Sequence, residues 1–573
     1  MKFLPDDLTV LYAKAKAYIA NETEITFRNE VINALDEHAD EDLYDRFYTS
    51  LAFGTAGMRG VIGGGTNRIN VHMVRKVTQG LADYINEATD KPSVVIAFDS
   101  RNWSQVFAEE AALVLCANNI KVFLYDEIHP VPMLSFAVRR VGASAGIVIT
   151  ASHNPAKYNG YKVYWSDGGQ VTFPHDDKIS KKVASVQSEQ IKGMCKEEAT
   201  ERKLLFSVPQ NVDEDYYAMV LSSLRRPQLI QGNDVRVAYT PLHGTGTIPI
   251  KTLMHRLHVD IAVVGQQEAP DGDFPTVSMP NPEDPQAMRL AIELAKEQKS
   301  DIVLGTDPDA DRLGIAIPID ATKSSYRLLT GNQIAILLCD YLITTWKEQA
   351  TDYKIKPTVV KSLVTTDLVR EIARRNGAKC IDVLTGFKYI AEQMNLLEHD
   401  SDRFFLFGCE ESFGYLSIPT IRDKDAVSSA LCAVEMMCYH AQQGKSLQER
   451  LDEIYMKYGY YGEKVLSYSY EGSAGKDKMT SIMANFRTLK AGDTFAGHSI
   501  LKIKDLAAGE DGQDFPLSDV IVLWFEKGEK LIVRPSGTEP KIKYYLFFTI
   551  PYEERDQFDV ILAERIARFK SAL

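Results

Sequence analysis

Short apolar runs rich in β-branched or aromatic residues recur along this chain, and each breaks off abruptly into a polar loop. Ala145 to Ile149 runs into Thr150-Ala151-Ser152-His153-Asn154-Pro155, and Asp301 to Gly305 into Thr306-Asp307-Pro308-Asp309-Ala310-Asp311-Arg312. Phe404 to Phe407 runs into Gly408-Cys409-Glu410-Glu411-Ser412-Phe413-Gly414-Tyr415, and Lys530 to Val533 into Arg534-Pro535-Ser536-Gly537-Thr538-Glu539-Pro540. Runs this short, built from β-branched and aromatic residues, read as buried strands rather than helices. Open α/β sheets place their chemistry on loops at the carboxyl ends of such strands. Pro155 removes a backbone donor and biases Asn154 away from helix, so the chain turns just beyond Ser152.

Between these runs lie helical patterns. Leu8 to about Tyr48 reads as helix, uninterrupted by Gly or Pro. From Pro92 onward strand and helix alternate: strands at Ser93–Phe98, Lys121–Tyr125 and Gly146–Ile149, helices at Phe107–Ala117 and Pro132–Val141, then a returning strand at Gly160–Tyr164. This alternation predicts βαβ units and a largely parallel sheet. Lys178 to Arg202 reads as polar, solvated helix. A second α/β block starts near Ser207 and a third near Thr330. Beyond Gln443-Gly444-Lys445 the pattern changes to short strands and one long helix, the mark of an antiparallel α+β domain. The expected fold class is therefore α/β with three similar mixed α/β domains (residues 1–206, 207–322 and 323–445) and a C-terminal α+β domain (446–573).

Composition narrows the partners. With 573 residues, 45% hydrophobic and 25% charged, the chain can bury several cores. A formal net charge of −13 argues against nucleic acid or an anionic membrane surface as main partner. No apolar run approaches the ~18–20 residues that span a bilayer, and the first residues carry no secretory h-region. The seven cysteines form no CxxC pair, which fits reduced thiols in a cytoplasmic protein and disfavours zinc.

The loops carry the chemistry. Asp307, Asp309 and Asp311 alternate on a tight loop after a strand, stiffened by Pro308, and in an extended segment alternate side chains face one way, so the three carboxylates can converge on one hard cation, Mg²⁺ or Mn²⁺. A phosphatase-type loop with Asp307 as nucleophile is the competing reading. An EF-hand is disfavoured, because Arg312 replaces the turn glycine and Pro318 stands at position 12. Arg534, Ser536, Gly537 and Thr538 combine a bidentate donor, two hydroxyls and a pliable backbone, a phosphate-binding set. Glu410 and Ser412 can accept from and donate to sugar hydroxyls. Phe53-Gly54-Thr55-Ala56-Gly57-Met58-Arg59-Gly60 suggests backbone closely approaching a ligand, with a cation aimed at it. Ser152 by itself could equally cap a helix or a turn, and His243 reads as a local loop hydrogen bonder.

Taken together, these segments resemble the α-D-phosphohexomutases, the phosphoglucomutase and phosphomannomutase superfamily, from about residue 45 to the C-terminus and in the family's order. The Met58-Arg59-Gly60 variant and Asn159-Gly160-Tyr161-Lys162-Val163-Tyr164 look most like its long phosphoglucomutase/phosphopentomutase branch. The resemblance implies four domains around a central cleft and a phosphoserine at Ser152. It implies one Mg²⁺ held between Ser152 and Asp307, Asp309 and Asp311, with glucose 1,6-bisphosphate as activator. Arg59, Lys162 and Arg312 would surround the reacting phosphoryl group, Lys162 being the acid/base candidate, with His153 beside the serine. Glu410, Ser412 and Lys388 would contact the sugar, and Arg534, Ser536, Gly537 and Thr538 its distal phosphate. Cys409 stands where many members have Gly, and Lys388 where some have His. The expected activity is interconversion of glucose 1-phosphate and glucose 6-phosphate by a monomer or weak dimer. Phosphopentomutase, phosphomannomutase and glucose-1,6-bisphosphate synthase are the alternatives inside the family. A phosphatase and a catalytically retired binding protein are the alternatives outside it.

Overall fold

The computed structural model describes residues 5–54, 57–232, 234–350, 353–470, 472–509, 515–535 and 541–573. The chain forms two compact units. The first comprises Met1–Gly331, Phe387–Asp400 and Ser412–Tyr439, and the second Asn332–Gly386, Ser401–Glu411 and His440–Leu573, so the third α/β domain contributes to both.

In the first unit, the N-terminal helical stretch is three helices, Pro5–Asn21, Ile25–Asp36 and Asp40–Phe47. The break after Asn21 needs neither Gly nor Pro, because the Glu24 carboxylate caps the Thr26 N–H at 3.1 Å and starts a new helix. Six strands follow: β1 (Gly57–Val61), β2 (Ser93–Phe98), β3 (Lys121–Leu124), β4 (Ala145–Ile149), β5 (Tyr158–Trp165) and β6 (Leu205–Ser207), in sheet order β1-β5-β4-β2-β3-β6. The β4-β2-β3-β6 half is parallel, as the alternation predicts. The other half is not, since β5 runs antiparallel to β4 and β1 antiparallel to β5. A loop of eight residues is too short for a crossover, so the returning strand pairs as a hairpin. Lys178–Arg202 is likewise not one helix: His175–Ser185 and Lys196–Glu201 are helical, joined by irregular chain and a single 3₁₀ turn.

The second sheet of this unit contains β7 (Arg236–Thr240), β8 (Asp260–Val263), β9 (Ile302–Thr306), β10 (Leu313–Pro318) and β11 (Tyr326–Leu328), ordered β11-β10-β9-β7-β8. β7 is parallel to β8 and β9, whereas β10 folds back antiparallel on β9. Both sheets thus repeat one device: a fully buried parallel strand delivers a polar loop, and an antiparallel partner carries the chain away from it.

In the second unit, β12 (Lys356–Ser362) pairs in parallel with β13 (Lys379–Val383) and β14 (Arg403–Glu410). Strand β13, half-buried and carrying Lys and Asp, lacks the apolar run that reveals its neighbours. The short strand β15 (Gly414–Leu416) belongs to the first unit. The C-terminal sheet is ordered β16-β21-β20-β19-β18-β17 (Tyr460–Ser469, Lys541–Ile550, Lys530–Pro535, Ile521–Phe525, His498–Asp505 and Thr494–Phe495) and is antiparallel throughout. Its core packs Ile521, Leu523, Val533, Tyr544 and Phe548 against Met483 and Phe486 of one helix and Phe569 of the last. That last helix is Phe558–Ala572, preceded by a 3₁₀ turn from Tyr552 to Gln557.

Candidate active site

Ser152 sits three residues beyond β4 with a φ of 51°, a left-handed backbone uncommon for serine. Its N–H donates to Thr150 Oγ1 at 2.8 Å, and its hydroxyl donates to Asp307 Oδ2 at 2.6 Å. His153 Nδ1 lies 3.2 Å from the same hydroxyl. Close packing fixes the serine strand beside β5: a Cβ on Gly160 would lie 2.5 Å from the Thr150 carbonyl oxygen. The guanidinium of Arg101, just past β2, donates to the carbonyl oxygens of Ser152 and Asn154, and to those of Pro155 at 3.0 Å and Tyr158 at 3.1 Å.

The metal loop closes between β9 and β10. It is a tight turn rather than an extended segment: Ala310 has a φ of 50°, and its N–H donates to the Asp307 carbonyl at 2.9 Å. The turn, not strand alternation, brings one ligand atom each from Asp307, Asp309 and Asp311 within 4.8 Å of the others. The Thr240-Pro241-Leu242-His243-Gly244-Thr245-Gly246 segment supports it. Gly244 packs so closely that a Cβ would lie 2.3 Å from Pro308 Cα, and Thr245 Oγ1 donates to the Pro308 carbonyl at 2.9 Å. His243 turns elsewhere, with Nε2 2.9 Å from Thr276 Oγ1.

Charge around the triplet is tightly arranged. Lys162 on β5 donates to Asp309 Oδ2 at 2.8 Å and lies 3.5 Å from Asp311 Oδ2. Lys424 meets Asp311 Oδ2 at 3.1 Å and Asp423 Oδ1 at 2.9 Å. Thr150 Oγ1 donates to Asp309 Oδ2 at 3.2 Å, and the backbone N–H groups of Asp311 and Arg312 donate to Asp307 Oδ1 at 3.2 and 3.0 Å. Arg312 is anchored by Glu283 at 2.8 Å. Even so, Asp309 Oδ1 and Asp311 Oδ1 are buried without a hydrogen-bond partner among the described residues. Burial, then Asp309 and Asp311, push the Asp307 carboxyl well above the usual carboxylate range. Burial acts on Asp311 in the same sense, but Lys424, Lys162 and Arg312 overcome it and hold that carboxyl low. Three converging, buried carboxylates with two orphaned oxygens fit a hard divalent cation.

Two groups bear on proton movement. Burial works against the Lys162 ammonium, yet Asp309 and Asp311 keep it charged and raise its pKa, contrary to what a resting base needs. Burial, then Arg312 and Arg59, push the His153 imidazole down to about 2, so it stays neutral beside the serine.

Arg59 is exposed on β1 and donates to Asn154 Oδ1 at 3.1 Å. The structure thus gathers Ser152, His153, Lys162, Arg312 and the three aspartates at one place in the first unit, with Arg59 of β1 hydrogen-bonded to the serine loop. Lys388 lies 3.4 Å from Asp176 Oδ2 at the start of another helix. Ser412 lies in the turn after β14. In the second unit, Glu410 is the last residue of β14 rather than a loop residue, and its carboxylate accepts the Gly386 N–H at 2.8 Å. Arg534 lies on β20 near Tyr545, whose hydroxyl burial pushes up to about 12 against the lowering effect of the Arg534 cation. Ser536, Gly537 and Thr538, like Thr55 and Ala56, lie outside the described residues.

Sequence reading missed Lys424, Asp423, Glu283, Thr150 and the role of Arg101. Lys424 had a signal in Arg422-Asp423-Lys424-Asp425, a charged run that is wholly buried. Arg101 had one in Asp99-Ser100-Arg101 at a strand's carboxyl end.

Comparison with known proteins extends these observations. Family models for the phosphoglucomutase/phosphomannomutase α/β/α domains I, II and III match residues 50–190, 214–318 and 330–458. A phosphoglucomutase of Staphylococcus epidermidis is 36% identical over 553 residues, covering 93% of this chain and 98% of that protein. One from Staphylococcus aureus is 37% identical over 527 residues, covering 90% and 93%. Among solved structures, parafusin, a phosphoglucomutase from Paramecium, superposes with a TM-score of 0.66 at 18% identity, covering 91% of this chain and 96% of that one. A phosphoglucomutase/phosphomannomutase family protein from Burkholderia thailandensis superposes with a TM-score of 0.65 at 16% identity, with the same coverage. These two likenesses concern the fold.

Proposed function

This chain belongs to the phosphoglucomutase/phosphomannomutase family, and from that premise we propose that it is a phosphoglucomutase, interconverting α-D-glucose 1-phosphate and glucose 6-phosphate through a phosphoserine at Ser152. The observation that carries the reading is the Ser152 hydroxyl, 2.6 Å from Asp307 in a buried aspartate triplet with two orphaned oxygens. The names of the relatives, matched over nearly the whole chain, supply the sugar.

Asp307, Asp309 and Asp311, with an oxygen on Ser152, would hold one Mg²⁺, which when bound neutralises charge on the transferred phosphoryl oxygens. The chain's residues do the rest. Phosphorylated Ser152 gives its phosphoryl group to the free hydroxyl of the sugar monophosphate, forming glucose 1,6-bisphosphate. That species turns over, and its other phosphate returns to Ser152, which is why free bisphosphate would serve as activator. Arg59 and Arg312 offset charge on the equatorial oxygens. The Lys162 ammonium gives its proton to Ser152 Oγ as the phosphoryl group leaves and regains the one shed by the attacking hydroxyl, so protons balance. Neutral His153 orients the serine. Glu410, Ser412 and Lys388 take the sugar, and Arg534, Ser536, Gly537 and Thr538 its non-reacting phosphate. Ordered closure around the substrate would keep water from the phosphoserine. Seven unpaired cysteines suit a cytoplasmic protein, which we propose acts as a monomer or weak dimer. No helix among the described residues is long and apolar enough to cross a membrane.

The test is a coupled assay of glucose 6-phosphate formation from glucose 1-phosphate, with Mg²⁺ and trace glucose 1,6-bisphosphate, with ribose 1-phosphate and mannose 1-phosphate as rival substrates. Rapid turnover of glucose 1-phosphate, abolished in Ser152→Ala, is expected. Preference for ribose or mannose would move the substrate and keep the mechanism. Release of inorganic phosphate without isomer would make the protein a phosphatase.

A further inference from the structure

Ser152 is held in its left-handed conformation from beneath, by a side chain that touches no reacting atom. We propose that Arg101 is the positioning residue of the phosphoserine loop, acting through its grip on four carbonyls between Ser152 and Tyr158. This rests on the reading of Ser152 as phosphoryl carrier.

A guanidinium has five N–H donors in a rigid planar fork. In Arg101 four of the five donate to backbone carbonyls, and the fifth stands against a carboxylate without a hydrogen bond among the described residues. Nη1 donates to the carbonyls of Pro155 at 3.0 Å and Tyr158 at 3.1 Å, Nη2 to those of Ser152 and Asn154, and Nε faces Asp99 Oδ2 at 3.4 Å. Three of the four carbonyls, those of Ser152, Asn154 and Pro155, belong to the connection between β4 and β5, and the fourth to Tyr158, the first residue of β5. The side chains of Arg101 and Asp99 are both 0% exposed. Asp99 is itself fixed, its Oδ1 accepting the Arg101 N–H at 2.9 Å and the Ser104 hydroxyl at 2.7 Å. The ring of buried Phe274 covers the guanidinium, 4.9 Å from its centre.

A buried ion pair is a costly way to fill a core, and stability alone does not call for one. What this pair supplies is direction. Turning the carbonyls of Ser152 and Asn154 inward, onto one group, holds Ser152 at a φ of 51° and keeps its hydroxyl on Asp307. Without that grip the serine is free to relax to an ordinary backbone conformation, which carries Oγ away from the aspartates. Phosphoryl transfer relies on placement, and an error near 1 Å costs about 100-fold in rate. Lysine cannot substitute, because three donors on one nitrogen do not span four carbonyls.

Arg101→Lys is the first variant, and Asp99→Asn, which leaves Arg101 in place but unaligned, is the second. Wild type and Ser152→Ala run beside them, each with its thermal unfolding curve. Both test variants should remain folded and lose about 10–100-fold in kcat with KM little changed. They should also take up phosphate from glucose 1,6-bisphosphate onto Ser152 more slowly by a like factor, read by intact-protein mass. A kcat within twofold of wild type in either folded variant overturns the proposal. So does a loss explained by the unfolded fraction, or failure of both to fold, since Arg101 would then serve the fold alone. Full turnover by Ser152→Ala would instead sink the reading of Ser152 itself, a result separable from a normal Arg101→Lys.

Discussion

Lys424 reaches Asp311 at 3.1 Å, across more than a hundred positions of chain, and gives the metal loop a cation that no loop motif announces. The pair is buried, and Lys162 and Arg312 also face Asp311, at 3.5 and 4.0 Å. Removing one partner of a buried pair typically costs roughly 3–5 kcal/mol, because a charge is left uncompensated. Here two other cations remain, so Lys424→Met should destabilise the first unit by about 1–3 kcal/mol, read from urea unfolding. The bare protein should suffer and the metal-loaded protein much less, since bound cation takes over the neutralising role. Equal loss with and without Mg²⁺ would mean that Lys424 does not answer to the charge of the triplet.

Asp307 poses the opposite case. Its carboxyl is pushed up by burial and by Asp309 and Asp311, so ionising it in the bare site is unfavourable. Asp307→Asn removes that repulsion and keeps an oxygen for the N–H groups of Asp311 and Arg312. The bare variant should melt at or above the wild-type temperature. The stabilisation conferred by Mg²⁺ should shrink as affinity falls by about tenfold or more, and mutase turnover should collapse with it. Thermal shift against Mg²⁺ concentration checks this; an unaltered metal response would move the cation away from Asp307.

The phosphate clamp is tested at Arg534, on the strand that pairs with the one carrying Tyr545. If Arg534 holds the non-reacting phosphate, Arg534→Ala loses a charge-assisted hydrogen bond worth about 1.5–3 kcal/mol. KM for glucose 1-phosphate should then rise about 10–100-fold while phosphorylation of Ser152 stays possible. Steady-state kinetics decide it, and an unchanged KM would put the clamp elsewhere.

How much of this was legible in the sequence follows from what each residue packs against. The strand before Ser152 and the strand before Asp307 declare themselves, because a strand buried on both faces must be apolar throughout. The return of β5 was legible as a strand, but its place between β4 and β1 was not. That depends on what lies beside the strand, and Gly160 records the close approach only once Thr150 is seen against it. The aspartate triplet was read correctly as a convergent set but for the wrong geometric reason, since a turn at Ala310 gathers the carboxylates. Lys424 and Arg101 were hidden for a third reason: charged residues are ordinarily exposed, and only burial reveals that these serve the loops.

Stability should also depend on pH through a residue that the proposed chemistry does not use. His440, near the end of the helix Ala426–Gln442, is only 3% exposed. Burial, then the nearby Arg450 cation, lowers its imidazole from 6.5 to about 4, with Glu453 opposing and Lys445 assisting. The folded chain therefore holds His440 neutral where the unfolded chain would protonate it. Its contribution is fully present above pH 6.5 and is lost as pH falls through about 4. A shift of that size corresponds to about 3 kcal/mol at the acid end. His440→Gln carries no titrating group, so its unfolding free energy should fall less steeply between pH 6.5 and 4 than that of wild type, whatever its absolute stability. Denaturant curves at half-unit steps of pH measure both slopes for the transition of the second unit. Parallel slopes would show that His440 takes up its proton in the folded state as readily as in the unfolded one.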